Sequence, residues 1–143
     1  MNCFVILRKY KSNSKVISGG IRRMSVNVKR MNVTTFGEIL RSANRCEYQI
    51  IDVREKSELA LVSIPGNDIV NLPLSTAHTW SNDIITGKLL DSEKPTLCLC
   101  HHGVRSMQMA TFLASQADFV DVANVEGGVD AYADEVDPSI GIY

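Results

Sequence analysis

Residues 97–110 read LCLCHHGVRSMQMA, and the change of character along this stretch decides the fold. The run from Thr96 to Cys100 is continuously apolar after its first residue, the pattern of a strand buried on both faces of a parallel sheet. It stops at a cysteine, passes through His101, His102 and Gly103, and resumes as RSMQMATFLASQ (105–116). In that segment Met109, Phe112 and Leu113 fall on one helical face. A strand that turns at once into a helix is half of a parallel βαβ unit.

The same alternation extends outward in both directions. YQIIDV (48–53) is a second apolar run, ending in an acid, and IVNLPL (69–74) is a third, ended by Pro73 because proline cannot donate to a central ladder. FVDVANV (119–125) reads as a fourth strand. Between them lie VTTFGEILRSA, a helix with Thr34 or Thr35 as N-cap and Phe36, Ile39 and Leu40 on its apolar face, and REKSELALV, a short helix broken at Pro65 and Gly66. A helix is expected around Trp80 to Ile85, and GGVDAYADEV opens a last one after two glycines. The pattern predicts an α/β fold with a central parallel β-sheet and helices on both faces.

At 143 residues and 45% hydrophobic content, the chain is the size of one domain. Its net charge of −1 conceals an asymmetry. Residues 1–30 hold eight basic residues and no acid, leaving seven basic residues against all 16 acidic ones in residues 31–143. The part expected to fold is therefore acidic, which argues against nucleic acid as a partner. The basic, serine-containing leader has the composition of an organelle transit segment; a basic tail on a cytosolic protein is the other reading. No stretch approaches the roughly 20 apolar residues of a membrane span, so no membrane partner is expected. Cys3, Cys46, Cys98 and Cys100 are irregularly spaced in a chain that needs no staples, which suits a reducing compartment.

Cys100 falls at the carboxyl end of a strand, where the reactive crevice of open α/β sheets lies. Gly103 permits a positive φ and a close backbone approach, so successive amide N–H groups can converge on one spot. The helix starting near Arg105 contributes its positive dipole end, and the Arg105 guanidinium a full charge with a fork of donors. Both favour a thiolate over a thiol. Two rival readings stand beside this one: Cys100 as a small buried apolar residue, and a zinc site from Cys98, Cys100, His101 and His102. The cluster lacks a second ligand pair at a distance, so no metal and no cofactor is expected. Cys98 is assigned to the core.

These motifs resemble the single-domain rhodanese sulfurtransferases, most closely those of cyanobacteria and plastids. The resemblance covers residues 32–143 through IIDVRE, IPG…NLPLS, CHHGVRS, NVEGGVDAY and VDPSIGIY. It implies that Cys100 takes a sulfane sulfur from a donor, thiosulfate or a protein persulfide, as a cysteine persulfide and passes it to a thiol or thioredoxin-like acceptor. It implies further that His101, His102, Gly103, Val104 and Arg105 cradle the persulfide and that Ser106 begins the helix behind it. Asp52 and Arg54 are expected to support the site as a salt bridge, and the two histidines either tune the cysteine or lie exposed.

The chain departs from the family pattern at Ser63, where histidine is common, at Tyr132, where tryptophan is common, and in an IPGNDIVNLPL turn two residues longer than usual. These bear on substrate access. The alternatives are a non-catalytic rhodanese-like binding or regulatory module, or a phosphatase or arsenate reductase of the same fold. Cell-cycle phosphatases, a different enzyme class that shares the fold of the family this chain resembles, use CxxxxxR; Cys100 to Arg105 is the tighter CxxxxR, suited to a single sulfur atom.

Overall fold

The computed structural model describes residues 27–66 and 68–143; most of the expected leader, with Cys3, lies outside them. Five strands, β1 (Lys29–Met31), β2 (Gln49–Asp52), β3 (Ile69–Asn71), β4 (Thr96–Leu99) and β5 (Val122–Val125), form one sheet in the order β1-β5-β4-β2-β3. Every pairing is parallel. The helices are α1 (Val33–Arg41), α2 (Lys56–Leu61), α3 (Ala77–Ile85), α4 (Val104–Gln116) and α5 (Gly128–Glu135), with 3-10 turns at Ala43–Glu47, Leu74–Thr76 and Pro138–Ile140. Among the described residues no helix is long and apolar enough to cross a membrane.

Side-chain alternation along the central strands divides the core in two. Leu97 and Leu99 of β4 and Ala123 and Val125 of β5 face one side, where Val33 and Phe36 of α1 and Val129 and Tyr132 of α5 cover them. Cys98 and Cys100 face the other side, against Trp80 and Ile84 of α3 and Met109, Ala110 and Leu113 of α4. Helices thus lie on both faces, as the alternation predicts. Tyr132 is buried and meets Phe36 edge-on, with ring centroids 5.9 Å apart. An aromatic ring at that position therefore packs the α1–α5 contact.

Two local features differ from the sequence reading. Helix α1 is capped by Asn32 rather than by a threonine: its Oδ1 accepts the Thr35 N–H at 2.8 Å. Strand β1 crosses the boundary placed at residue 30, since Lys29 and Arg30 pair with Ala123 and Asn124. Their charges meet Asp121 and Glu126, each at 2.9 Å. Two of the eight basic residues assigned to the leader therefore belong to the sheet.

The long turn after α2 is anchored by an ion pair. Asp68 accepts the Arg45 Nε–H at 2.7 Å, across from the 3-10 turn that carries Arg45. Its carboxylate is held below the usual range by that arginine.

Candidate active site

The carboxyl ends of β2, β4 and β5 deliver three segments to one edge of the sheet: residues 53–55, 100–103 and 126–127. Cys100 leaves β4 with its side chain buried. Its Sγ accepts the Gly103 N–H at 3.1 Å and the Ser106 hydroxyl at 3.2 Å. Two hydrogen-bond donors, one from the backbone and one from a hydroxyl, thus converge on the sulfur. Gly103 sits at φ +88°, and a Cβ there would lie 3.0 Å from the Gly127 nitrogen and 3.2 Å from the Val125 oxygen. Conformation and close approach both call for glycine. The Asn124 amide donates to the Gly103 carbonyl at 3.1 Å, fixing the peptide that opens α4.

Helix α5 holds the other half of the loop. Its first amides lack partners inside the helix; Val129 N–H donates to the Cys100 carbonyl at 2.9 Å and Asp130 N–H to that of His101 at 3.1 Å. In a trans peptide the next N–H points opposite the carbonyl. The His101 and His102 amides are therefore turned away from α5. Gly128 makes this docking possible, because a Cβ there would stand 2.3 Å from both carbonyl oxygens.

The charged residues form a continuous chain. Arg54 is wholly buried and clasps Asp52, with Nη2–Oδ2 at 2.7 Å and Nε–Oδ2 at 3.0 Å. Burial opposes the Arg54 charge, but the hydrogen bonds it donates to Asp52 and Tyr143 overcome it and raise the guanidinium pKa. Its Nη1 donates to the Val62 carbonyl at 2.9 Å and the Tyr143 hydroxyl at 3.2 Å. That hydroxyl donates to Glu58 Oε1 at 3.0 Å. Both Nη groups of Arg105 end on Glu58, at 2.7 and 2.6 Å. This pairing raises the Arg105 pKa and, with burial opposing, holds the Glu58 carboxyl at about 2.

The predicted residues thus fall into distinct places. Cys100, Gly103 and Ser106 form one hydrogen-bonded unit, whereas the fork of Arg105 closes on Glu58. Val104 is exposed beside them. His101 and His102 stack at 3.8 Å, and Tyr143 stacks on His101 at 4.1 Å. Burial, then His102, lower the His101 pKa. Asp130 lies 3.6 Å from His102 Nδ1 and 4.0 Å from His101 Nε2. Asp52 and Arg54 make the expected salt bridge, and Ser63 is exposed on a cavity of about 270 Å³ that they also line. Cys98 is buried in the core, which raises its thiol pKa. Glu58, Asp130 and Tyr143 were not singled out from the sequence; the only signal for the first was its place three residues after Glu55, whose N–H it accepts at 2.9 Å.

The rhodanese-like domain family matches residues 35–135. The chain belongs to that family. It is 48% identical over 97 residues to the rhodanese-like/PpiC domain-containing protein 12, chloroplastic, of Arabidopsis thaliana, an alignment that covers 68% of this chain. The chain spans only 31% of that relative's length. It is 28% identical over 87 residues to the thiosulfate sulfurtransferase GlpE of Shewanella oneidensis, covering 59% of this chain and 85% of that one. Its fold is similar to a rhodanese-like domain protein from Staphylococcus aureus, with a TM-score of 0.60 and 27% identity over 81% of this chain and 99% of the other. Rhodanese-like domains of this kind are named as sulfurtransferases among the relatives, which supports a sulfurtransferase-type role.

The Glu58–Arg105 pair gives this rhodanese-like domain a specific acid response. Because the Glu58 pKa is depressed from 4.5 to about 2, its contribution is complete above pH 4.5 and is lost as pH falls through about 2. Urea denaturation at stepped pH should show wild type more stable than Glu58→Gln above pH 4.5, with the gap closing toward pH 2. A gap independent of pH would contradict the ion pair.

Proposed function

We propose that the protein is a sulfurtransferase in which Cys100 carries a sulfane sulfur as a persulfide. The observation that supports this best is the pair of donors on Sγ, the Gly103 N–H at 3.1 Å and the Ser106 hydroxyl at 3.2 Å, inside a four-residue CxxxxR loop. The Cys100 thiolate attacks the outer sulfur of a donor. A new S–S bond forms on Cys100, the donor's S–S bond breaks, and the departing group keeps the electron pair. In this reading the His101 and His102 amides, turned away from α5, receive the terminal sulfur.

In the second half-reaction an acceptor thiolate attacks that terminal sulfur and Cys100 leaves as a thiolate. The same two donors that hold Sγ then stabilise the leaving group, so they assist both halves. The acceptor class is a thiol or thioredoxin-like protein, and the domain needs no cofactor for this chemistry. Asp52 and Arg54 act by holding the turn after β2, where the Asn71 side-chain amide donates to the carbonyls of Asp52 at 3.0 Å and Arg54 at 2.8 Å.

Plastid is the proposed location, on the basic acid-free composition of residues 1–30 and the chloroplastic name of the Arabidopsis relative. A fluorescent fusion of residues 1–30 should enter plastids in plant cells; retention in the cytosol would defeat this.

Intact-mass analysis tests the chemistry. Wild type incubated with a competent donor should gain one sulfur atom, lost again on addition of an acceptor. Cys100→Ser should gain none while keeping its folded circular-dichroism spectrum, because hydroxyl and thiol are close in size. Sulfur loading that survives in Cys100→Ser would remove this residue from the mechanism.

A further inference from the structure

Arg105 is the one guanidinium of the cysteine loop, yet it is engaged on both arms. Its two Nη groups meet the two oxygens of Glu58 at 2.7 and 2.6 Å, a bidentate geometry that is among the stronger polar contacts a protein makes. The carboxylate is itself fixed from other directions. It accepts the Glu55 N–H at 2.9 Å and the Tyr143 hydroxyl at 3.0 Å. Tyr143 is held in turn by its stack on His101 and by Arg54, whose guanidinium is buried on Asp52. Freeing Arg105 therefore means disrupting a network rather than rotating one exposed side chain.

The consequence is electrostatic. Each guanidinium near the loop faces its own carboxylate, Arg54 on Asp52, Arg105 on Glu58 and Arg30, which lines a cavity with His102 and Gly103, on Glu126, and Asp130 adds a further acid 3.6 Å from His102. A small dianionic donor such as thiosulfate arrives with two charges and releases sulfite, also a dianion. It finds neutral donors from the backbone and from Ser106, and no unpaired guanidinium among these three. A persulfide carried on a thiol arrives with at most one charge at the reacting end. The transfer is Cys–S⁻ + R–S–SH → Cys–S–SH + R–S⁻: one S–S bond breaks, another forms, and the departing thiolate keeps the electron pair with no net oxidation.

The geometry points to Glu58 as a specificity-determining residue that occupies Arg105 and so sets the site to take sulfur from thiol-carried persulfides in preference to thiosulfate. This inference rests on the sulfurtransferase reading and adds the donor class and the residue that selects it. Glu58 acts through Arg105 and does not touch the reacting sulfur, so it is a positioning residue. Tyr143 serves the same end by holding the carboxylate.

The test is single-turnover loading of Cys100, followed by quenched intact mass, with thiosulfate and with glutathione persulfide as probes. Wild type should load faster from glutathione persulfide than from equal thiosulfate. In Glu58→Gln the thiosulfate-to-persulfide rate ratio should rise about tenfold, since an unpaired guanidinium now faces a dianion. That gain should shrink as salt is raised, a signature that a merely structural role would not produce. Tyr143→Phe, which keeps the ring stack and removes one hydrogen bond to Glu58, should shift the ratio in the same direction by less, and it serves if Glu58→Gln does not fold. A ratio unchanged or lowered in both variants, or wild-type loading equally fast from thiosulfate, would overturn the assignment. A wild type that gains sulfur from neither donor would overturn the sulfurtransferase reading itself, an outcome distinct from an unchanged ratio.

Discussion

The first turn of α5 is the constraint on which the cysteine loop depends. Two amides that every helix leaves unpaired, here those of Val129 and Asp130, are satisfied by the carbonyls of Cys100 and His101. That single exchange closes the helix end, fixes two peptide planes and turns the following amides away from the helix. It works only because residue 128 has no Cβ, as any would stand 2.3 Å from both oxygens. Gly103 completes the arrangement from the opposite end of the loop, where its own N–H reaches back to Sγ at 3.1 Å. Strand, loop and two helices thus meet at one sulfur.

Around this neutral cradle the charges are arranged in matched pairs. Buried guanidinium and carboxylate groups are tolerated only when each finds its partner, and the chain from Asp52 through Arg54, Tyr143 and Glu58 to Arg105 meets that condition link by link. Positive charge within the network is therefore committed to structure. The loop offers sulfur its amide and hydroxyl dipoles, with Ser106 and Gly103 nearest. Such donors are set in place before the reaction and need no reorganisation during it.

Much of the scaffold was legible because burial on both faces leaves a plain mark: β2 and β4 are apolar runs, and the strand-to-helix switch at Cys100 is abrupt. β1 left no such mark. Lys29 and Arg30 are exposed residues of an edge strand, and their strand character comes from pairing with β5 and from Asp121 and Glu126, some ninety residues away in sequence. Helix α3 begins at Ala77, earlier than its apolar pattern indicated, since Trp80 and Ile84 are its only buried residues. In the loop, the strand end at Cys100 and the positive φ of Gly103 were legible from the residues themselves. Glu58 and Tyr143 were not, because their partners lie 47 and 85 residues away in sequence and each looks like an ordinary surface residue on its own segment. The same gap explains Arg105: the sequence gives its distance from Cys100 but not the acid that claims its fork.

A crystal structure of the protein with Cys100 loaded as a persulfide would test the account most directly, because it locates the terminal sulfur and Arg105 in one map. The account predicts the terminal sulfur within hydrogen-bonding distance of the loop amides, with Arg105 still bidentate on Glu58. A terminal sulfur bound by Arg105, with the Glu58 pair broken, would contradict it.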